Sequence, residues 1–504
     1  MDIKELQKNP PYGMVFILFI GGFITLLNNT LLNIALPTIM EEFDVKPSIV
    51  QWLTTGYMLI NGILIPASAF FVQKFTNRSL FIIAMTLFTL GTALAIFAPT
   101  FWLIVLARMI QASGSAMIMP LLMNIMLTVF PVEKRGTAMG FFGLVMFTAP
   151  AIGPTLSGWI IEHYSWQTLF MIILPFSIAI LVFAIFKLKN VTPNRAISLD
   201  IISLILSSIG FGGMLYGFSM AGEHGWTKFF VYGPIIIGAI SLTVFILRQL
   251  KMDEPMLDFR IYKHPMFALS SVISIVLSMA MFSGMILTPL YVQTVREISP
   301  FHSGILMLPG AVIMGLMSPI TGRLFDKFGA RGLAVTGLAI TLTATYLLSN
   351  LTFESGYYYL MMIYTIRMLG MALVMMPVMT NGLNQLPMMS NPHGTAMNNT
   401  LQQISGAIGS ALLLTIMTKK SEQVGETLFA EAQAAGEVPT DATELMVFNM
   451  DIGKTAMLDG INFSFFIATL ITAVALILAF FIKRVKPPEI PIQPFADEKE
   501  TEKE

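Results

Sequence analysis

The sequence predicts an all-α integral membrane protein, and three observations carry that expectation. Charged residues make up only 12% of the 504, while 55% are hydrophobic; soluble chains run near a quarter charged. The apolar residues are gathered into long unbroken runs. Finally, a set of short motifs recurs in the same order roughly 255 residues further on.

A helix needs ~20 apolar residues to cross ~30 Å of hydrocarbon. Measured that way, the chain carries fourteen spans, at 13–37, 48–72, 79–98, 100–125, 136–160, 166–186, 199–221, 229–248, 266–292, 301–323, 332–351, 356–381, 394–418 and 459–483. The first run is too long for a cleavable leader, and no small-residue cleavage site follows it. Continuous runs without period-2 alternation exclude a membrane β-barrel.

The loops then orient each span in turn. Lys74 and Arg78 follow the second span, Lys134 and Arg135 the fourth, and Lys187, Lys189 and Arg195 the sixth. Arg248, Lys251, Arg260 and Lys263 follow the eighth, Arg323, Lys327 and Arg331 the tenth, and Lys483, Arg484 and Lys486 the last. The alternate loops hold far fewer cations, so both termini are expected in the cytoplasm of a multi-pass cell-membrane protein. One inner loop, near 387–393, has neither Lys nor Arg. The segment 419–458 is the only long hydrophilic insert, acidic and Ala/Glu-rich, and is read as a solvated outer loop with room for a short helix or hairpin, rather than as a functional domain.

Several function classes drop out. A formal net charge of zero gives no basic field for nucleic acid. There is no cysteine, and the five histidines are scattered, so no metal cluster is expected. "GKT" at 453–455 lacks the glycine a phosphate loop needs, with Phe448 in its place. No nucleophile–base set appears, so neither an enzyme nor a cofactor is expected. A receptor or intramembrane enzyme would need a sensor domain or catalytic set that the sequence does not display.

The repeat is the most informative pattern. "GTAM" occurs at 136–139 and 394–397; "RMIQASGSAMIMP" at 108–120 answers "RMLGMALVMMP" at 367–377; "IPASAFFVQKFTNRSL" at 65–80 answers "SPITGRLFDKFGARGL" at 318–333. Two homologous six-helix bundles follow, 1–190 and 263–486, with a two-helix insertion and linker at 191–262 and a cytoplasmic tail at 487–504. Parallel repeats around a central cavity are a transporter design.

These motifs resemble the major facilitator superfamily, in particular its fourteen-helix drug:proton antiporter branch of quaternary-ammonium and multidrug efflux type. The family's inner-loop motif is kept in the second copy (Gly322, Leu324, Asp326, Gly329, Arg331) and eroded in the first, where Lys74 and Arg78 remain but Gln73 replaces the acid. The fourth-helix motif reads Arg108, Gln111, Ala112, Gly114, Ala116, and the antiporter motif is kept as Gly153, Pro154 and Gly158. The first helix reads LNNTLLNIALP, with Asn33 matching and Asn28 where the branch usually has Asp.

The resemblance implies a secondary active exporter of lipophilic or amphipathic small molecules, driven by proton antiport through alternating access and working as a monomer in the bilayer. It implies gating roles for Lys74, Arg78, Gly153, Pro154, Gly158, Gly322, Asp326 and Arg331. Candidate cargo-facing residues are Asn28, Asn33, Trp52, Tyr57, Asn61, Arg108, Gln111, Asn124, Arg367, Asn381 and Gln402. No Asp or Glu falls in the middle third of any span. That absence, with Arg108 and Arg367, keeps a second reading open: export of an endogenous glycolipid, metabolite or anionic compound.

Overall fold

A computed structural model describes residues 7, 10–45, 47–50, 52–191, 200–439 and 441–485, apart from the side chains of 33, 34, 47, 48, 151, 154, 222–224, 283, 300 and 442. Fourteen helices in it are long and apolar enough to cross a membrane. They are α1 Tyr12–Glu42, α2 Trp52–Lys74, α3 Asn77–Ile96, α4 Phe101–Val129, α5 Arg135–His163, α6 Gln167–Lys187, α7 Ile201–His224, α8 Phe229–Lys251, α9 Pro265–Leu290, α10 Pro300–Phe328, α11 Ala330–Leu348, α12 Tyr357–Leu383, α13 Asn391–Ala435 and α14 Ala442–Ala479.

Local chemistry starts several of them. Thr76 caps α3 by accepting from the Ser79 N–H at 3.1 Å, and Asp200 caps α7 through the Ile202 N–H at 3.2 Å. Prolines sit inside α1, α2, α4, α6, α8 and α12. A membrane helix tolerates them because neighbours re-satisfy the freed backbone.

The packing repeats itself. Within α1–α6 the main neighbours are α1 with α5 and α6, α2 with α4, and α3 with α4 and α6. Within α9–α14 they are α9 with α13 and α14, α10 with α12, α11 with α12 and α14, and, beyond the repeat, α13 with α14 along their hairpin. Each pair in the first set has its counterpart eight helices later, which is what duplicated motifs should build. The two sets meet along two seams, α5 against α10 and α2 against α13.

The inserted pair α7–α8 rides on the second seam. Leu215 of α7 presses on Gly62 of α2, while Met220 and Ala221 cluster with Ala411 of α13. The indole N–H of Trp226 donates to Thr415 Oγ1 at 2.7 Å. Its other end is held by Asp200 accepting from the Arg248 guanidinium at 2.8 Å.

The segment 419–458 takes the hairpin form that the sequence left open for it. α13 runs on to Ala435, α14 begins at Ala442, and the two form a helical hairpin. Its Ala, Glu, Gln and Leu residues are strong helix formers. Gly436 closes α13 in the left-handed region at φ +71, and Asp441 caps α14 by accepting from the Thr443 N–H at 2.8 Å. At 1.5 Å per residue α13 is roughly 68 Å long, more than twice a hydrocarbon core. Lys454 pairs with Glu297 at 2.6 Å and ties the hairpin to the bundle.

Candidate functional site

Two buried arginines occupy matching places. Arg108 lies on α4 at 1% exposure and Arg367 on α12 at 0%. Nη1 of Arg108 donates to Gln111 Oε1 at 3.0 Å, and Nη2 reaches Asn29 Oδ1 on α1 at 3.3 Å. Gln111 passes the network on, donating to Thr92 Oγ1 of α3 at 2.8 Å. In the second half Arg367 donates through Nε to Thr345 Oγ1 of α11 at 3.2 Å and through Nη2 to the carbonyl of Ala280 on α9. Each arginine thus ties the fourth helix of its half to the first, and, directly or through Gln111, to the third.

Neither arginine meets a carboxylate among the described residues. A charge in the bilayer interior is costly unless it is paired or faces water. Arg108 is compensated in part by the Tyr57 ring, 4.2 Å from its guanidinium. The Tyr57 hydroxyl donates to Ser115 Oγ at 2.7 Å, which fixes the ring. One guanidinium N–H of each arginine, Nε of Arg108 and Nη1 of Arg367, has no protein partner.

Asn28 is buried at 2% and donates to Gln111 Oε1 at 3.2 Å, so it sits in the α1–α4 contact. Asn61 lies one turn beyond Tyr57 and is 92% buried; Asn124 is buried further along α4. Trp52 is half-buried, with its ring 6.5 Å from Tyr216 of α7. Gln402 is half-buried on α13, with its amide 3.8 Å from Met379 Sδ. Asn381 departs from a cargo-facing place. Its amide donates to the Lys483 carbonyl at 3.1 Å and accepts from the Val485 N–H at 3.3 Å, clamping the C-terminal segment. The side chains of Asn33 and Pro154 lie outside the described residues.

The basic end of the bundle is where the halves are joined. Asp326, at the end of α10, accepts from the backbone N–H groups of Gly136 (2.8 Å) and Thr137 (2.9 Å) and from the Thr137 hydroxyl (2.8 Å). A carboxylate at a helix N-terminus also meets the positive end of the α5 dipole. Gly322 lets the backbones touch: a Cβ there would lie 2.7 Å from the Gly136 carbonyl carbon. Arg135 donates to Asn384 Oδ1 at 3.2 Å across the same boundary. At the second seam the repeat places Gln73 where Asp326 stands, and its amide lies 3.2 Å from His393 Nε2 at the start of α13. His393 Nδ1 in turn accepts from the Asp258 N–H at 3.2 Å.

The other motif residues stay within their own half or on the surface. Arg78 donates to the Ile185 carbonyl at 2.7 Å and so caps the end of α6. Lys74 is exposed and sits 5.9 Å above the Phe70 ring; Arg331 is exposed. Gly153 abuts α1, where a Cβ would lie 2.8 Å from Thr30 Cβ, whereas Gly158 has nothing within 4 Å. Sequence reasoning missed Thr137, Asn29, Asn384 and His393. The repeated "GTAM" pointed to the helix starts but not to what they touch.

Known proteins share both sequence and arrangement. The uncharacterized MFS-type transporter YhcA of Bacillus subtilis (strain 168) is 46% identical over 505 residues, covering 96% of this chain and 95% of that protein. The lincomycin resistance protein LmrB of the same organism is 41% identical over 485 residues, covering 96% and 98%. The crystal structure of the human organic anion transporter MFSD10 (TETRAN) superposes with a TM-score of 0.61 at 14% identity, covering 92% of this chain and 99% of that one, a likeness of fold alone. The family model described as Major Facilitator Superfamily matches residues 18–410. With its duplicated helix packing, paired buried arginines and these relatives, the chain belongs to the Major Facilitator Superfamily, whose members are membrane transporters.

Proposed function

We propose that the protein is a multidrug exporter. It takes lipophilic or amphipathic small molecules from the cytoplasmic side and releases them outside, by alternating access coupled to proton antiport. It acts as a monomer in the cell membrane, its basic end and both termini in the cytoplasm. The observation that carries this reading is the seal at the basic end, where Asp326 of one half holds the start of α5 in the other. Such a seal belongs to a transporter closed on one side. Resistance to lincomycin, named for a relative of full length, supports drug cargo.

The proton's site is not a mid-span acid, since the spans hold none. Asp326 is the carboxylate that changes surroundings when the halves part, so proton exchange is assigned to it. A second reading, export of an anionic compound, is favoured by Arg108 and Arg367, each buried with one N–H unmet.

Proteoliposomes holding an internal pH dye test the reading. Cargo entering the vesicles is expected to drive protons out, so the interior should turn alkaline as cargo accumulates. Cargo movement with a steady internal pH would remove proton antiport and leave export standing. Preference for anionic over cationic dyes would favour the second reading.

A further inference from the structure

The segment that follows α14 is built into the basic end. Ile482 is buried and joins the apolar core. The amide of Asn381 on α12 then brackets the next three residues, donating to the Lys483 carbonyl at 3.1 Å and accepting from the Val485 N–H at 3.3 Å. That bracket presents Arg484, the residue between, to the end of α10. Its Nη2 donates to the carbonyl of Asp326 at 2.8 Å and its Nη1 to that of Lys327 at 3.3 Å. The last four carbonyls of a helix have no partner within it. Arg484 takes two of them, and the Gly329 N–H donates to the Phe325 carbonyl at 2.8 Å. Gly329 also makes room for the arginine: its φ is +82, and a Cβ there would lie 3.3 Å from Arg484 Cδ.

The first half is built alike. Asn77, at the start of α3, donates to the Lys189 carbonyl at 2.8 Å and accepts from the Val191 N–H at 2.8 Å. The bracketed residue, Asn190, accepts from the Arg78 N–H at 3.3 Å. In each half the segment after the sixth helix is thus pinned by an asparagine and turned back on the loop that carries the gating motif. The asparagines come from different helices, the third of one half and the fourth of the other, so the bracket is not a copy of one duplicated motif. Of the two loops, the second sends a carboxylate across to the other half. There the clamp has a latch to act on.

We propose that Arg484, held by Asn381, is a positioning residue for the Asp326 latch: the segment after α14 fixes the last turn of α10 so that the carboxylate stays aimed at the start of α5. This rests on the reading of Asp326 as the seal of the basic end. Arg484 grips the backbone of Asp326 itself, and its charge sits at the negative end of the α10 dipole. Asn381 lies about one turn before Asn384, which holds Arg135 of α5 at 3.2 Å. α12 is therefore already tied to α5, and the segment carries that fixed point on to α10. Without Arg484 the last turn of α10 is left to fray, while the donors that wait for Asp326 on α5 stay where they are.

The chain has no cysteine, so a single one reports on the seam. Ser318→Cys places it where Ser318 is buried against Gly143, and a charged methanethiosulfonate reagent applied to inside-out vesicles reaches it only when the basic end opens. Arg484→Ala and Asn381→Ala are each expected to raise the modification rate roughly two- to fivefold, the factor that a cation at a helix C-terminus carries. Arg484→Lys, which keeps the charge and one donor, should fall between Arg484→Ala and the parent. In an Asp326→Asn background both Ala changes should add less than about 1.5-fold, because residues that act through one contact are not additive. Parent-like rates in both single variants overturn the proposal. So does the full rise on top of Asp326→Asn, since the segment then supports the fold without acting through the carboxylate. If Arg484→Ala does not fold, Arg484→Lys and Asn381→Ala carry the same test. No cargo enters the measurement, so its outcome is separate from whether the protein exports drugs. A parent-like rate in Asp326→Asn alone removes the latch, and this proposal with it.

Discussion

Asp326 and Thr137 sit in opposite halves of the chain, and the carboxylate of one takes both the backbone N–H and the hydroxyl of the other, at 2.9 and 2.8 Å. Opening the basic end must break this pair together with the Gly136 bond.

Asp326→Asn removes the charge that faces the α5 dipole and turns an amide NH2 toward donors. Leaving a partly buried donor unmet costs about 1–3 kcal/mol, a population shift of roughly 5–150-fold. The variant is expected to spend more time open at the basic end. Distances between spin labels at the exposed positions 74 and 331 check it, and a distribution identical to the parent's would show that Asp326 is not the latch.

Gln73→Asp restores an acid at the repeat-equivalent place, next to His393 and the start of α13. It should tighten the second seam, raise thermal stability and slow turnover. Combined with Asp326→Asn, it should return part of the closed population. If the double variant is no more closed than Asp326→Asn alone, the two seams are not interchangeable.

Asn28→Asp puts a carboxylate against Gln111, one hydrogen bond from Arg108. Gln111 can turn its amide to donate, and the new charge gives Arg108 the counter-ion it lacks. The variant should gain a pH dependence of transport and shift toward cationic cargo. Asn28→Ala should weaken the α1–α4 contact by about 0.6 kcal/mol, the average for such membrane pairs, and leave the pH profile as it was. Uptake of a cationic and a neutral dye across pH in the three proteins decides it.

Gly153→Leu drives a side chain into Thr30, whereas Gly158→Leu enters open space. The first is expected to lower thermal stability sharply by forcing α1 away from α5. The second should fold like the parent. Thr30→Ala, which removes the nearest colliding atom, Oγ1, should rescue part of the loss in the first. Equal melting temperatures for the two glycine variants would contradict the packing described.

The structure starts α7 at Ile201 and so leaves Asp200, placed inside the span 199–221 by the sequence, just outside the membrane-spanning helix, and the Arg248 guanidinium bonded to it holds its carboxyl down at about 2. A carboxyl whose folded pKa is depressed stabilises the fold above its unfolded pKa of about 3.9, and that share is lost as pH falls toward 2. Asp200→Asn keeps the helix cap and removes the charge. Its deficit against the parent is expected to be under about 1 kcal/mol at pH 7, as for exposed ion pairs, shrinking below pH 4 and gone near pH 2. A deficit constant with pH would mean that the cap, not the ion pair, was disturbed.

Much of this was written in local sequence. Fourteen apolar runs became fourteen helices because a span's length and composition are local, and the bilayer lets no backbone group stay unpaired. The hairpin across 419–458 was only half legible for a related reason: its alanines and glutamates suit a solvated loop by charge and a helix by propensity, and Glu297, to which its Lys454 is tethered, lies outside the segment.

By itself the sequence determined the spans, the duplication and the two buried arginines, since each shows as hydrophobic length or as a motif repeated at fixed distance. Only the tertiary structure decided what those residues touch. It spent Asn381 on the C-terminal segment, turned Gly153 toward α1, set Asp326 against a helix start 189 residues away, and laid α7 over the α2–α13 seam. The physical reason is that helix faces and ends are fixed locally, but which face meets which depends on how two bundles of small residues and a handful of polar groups close against each other.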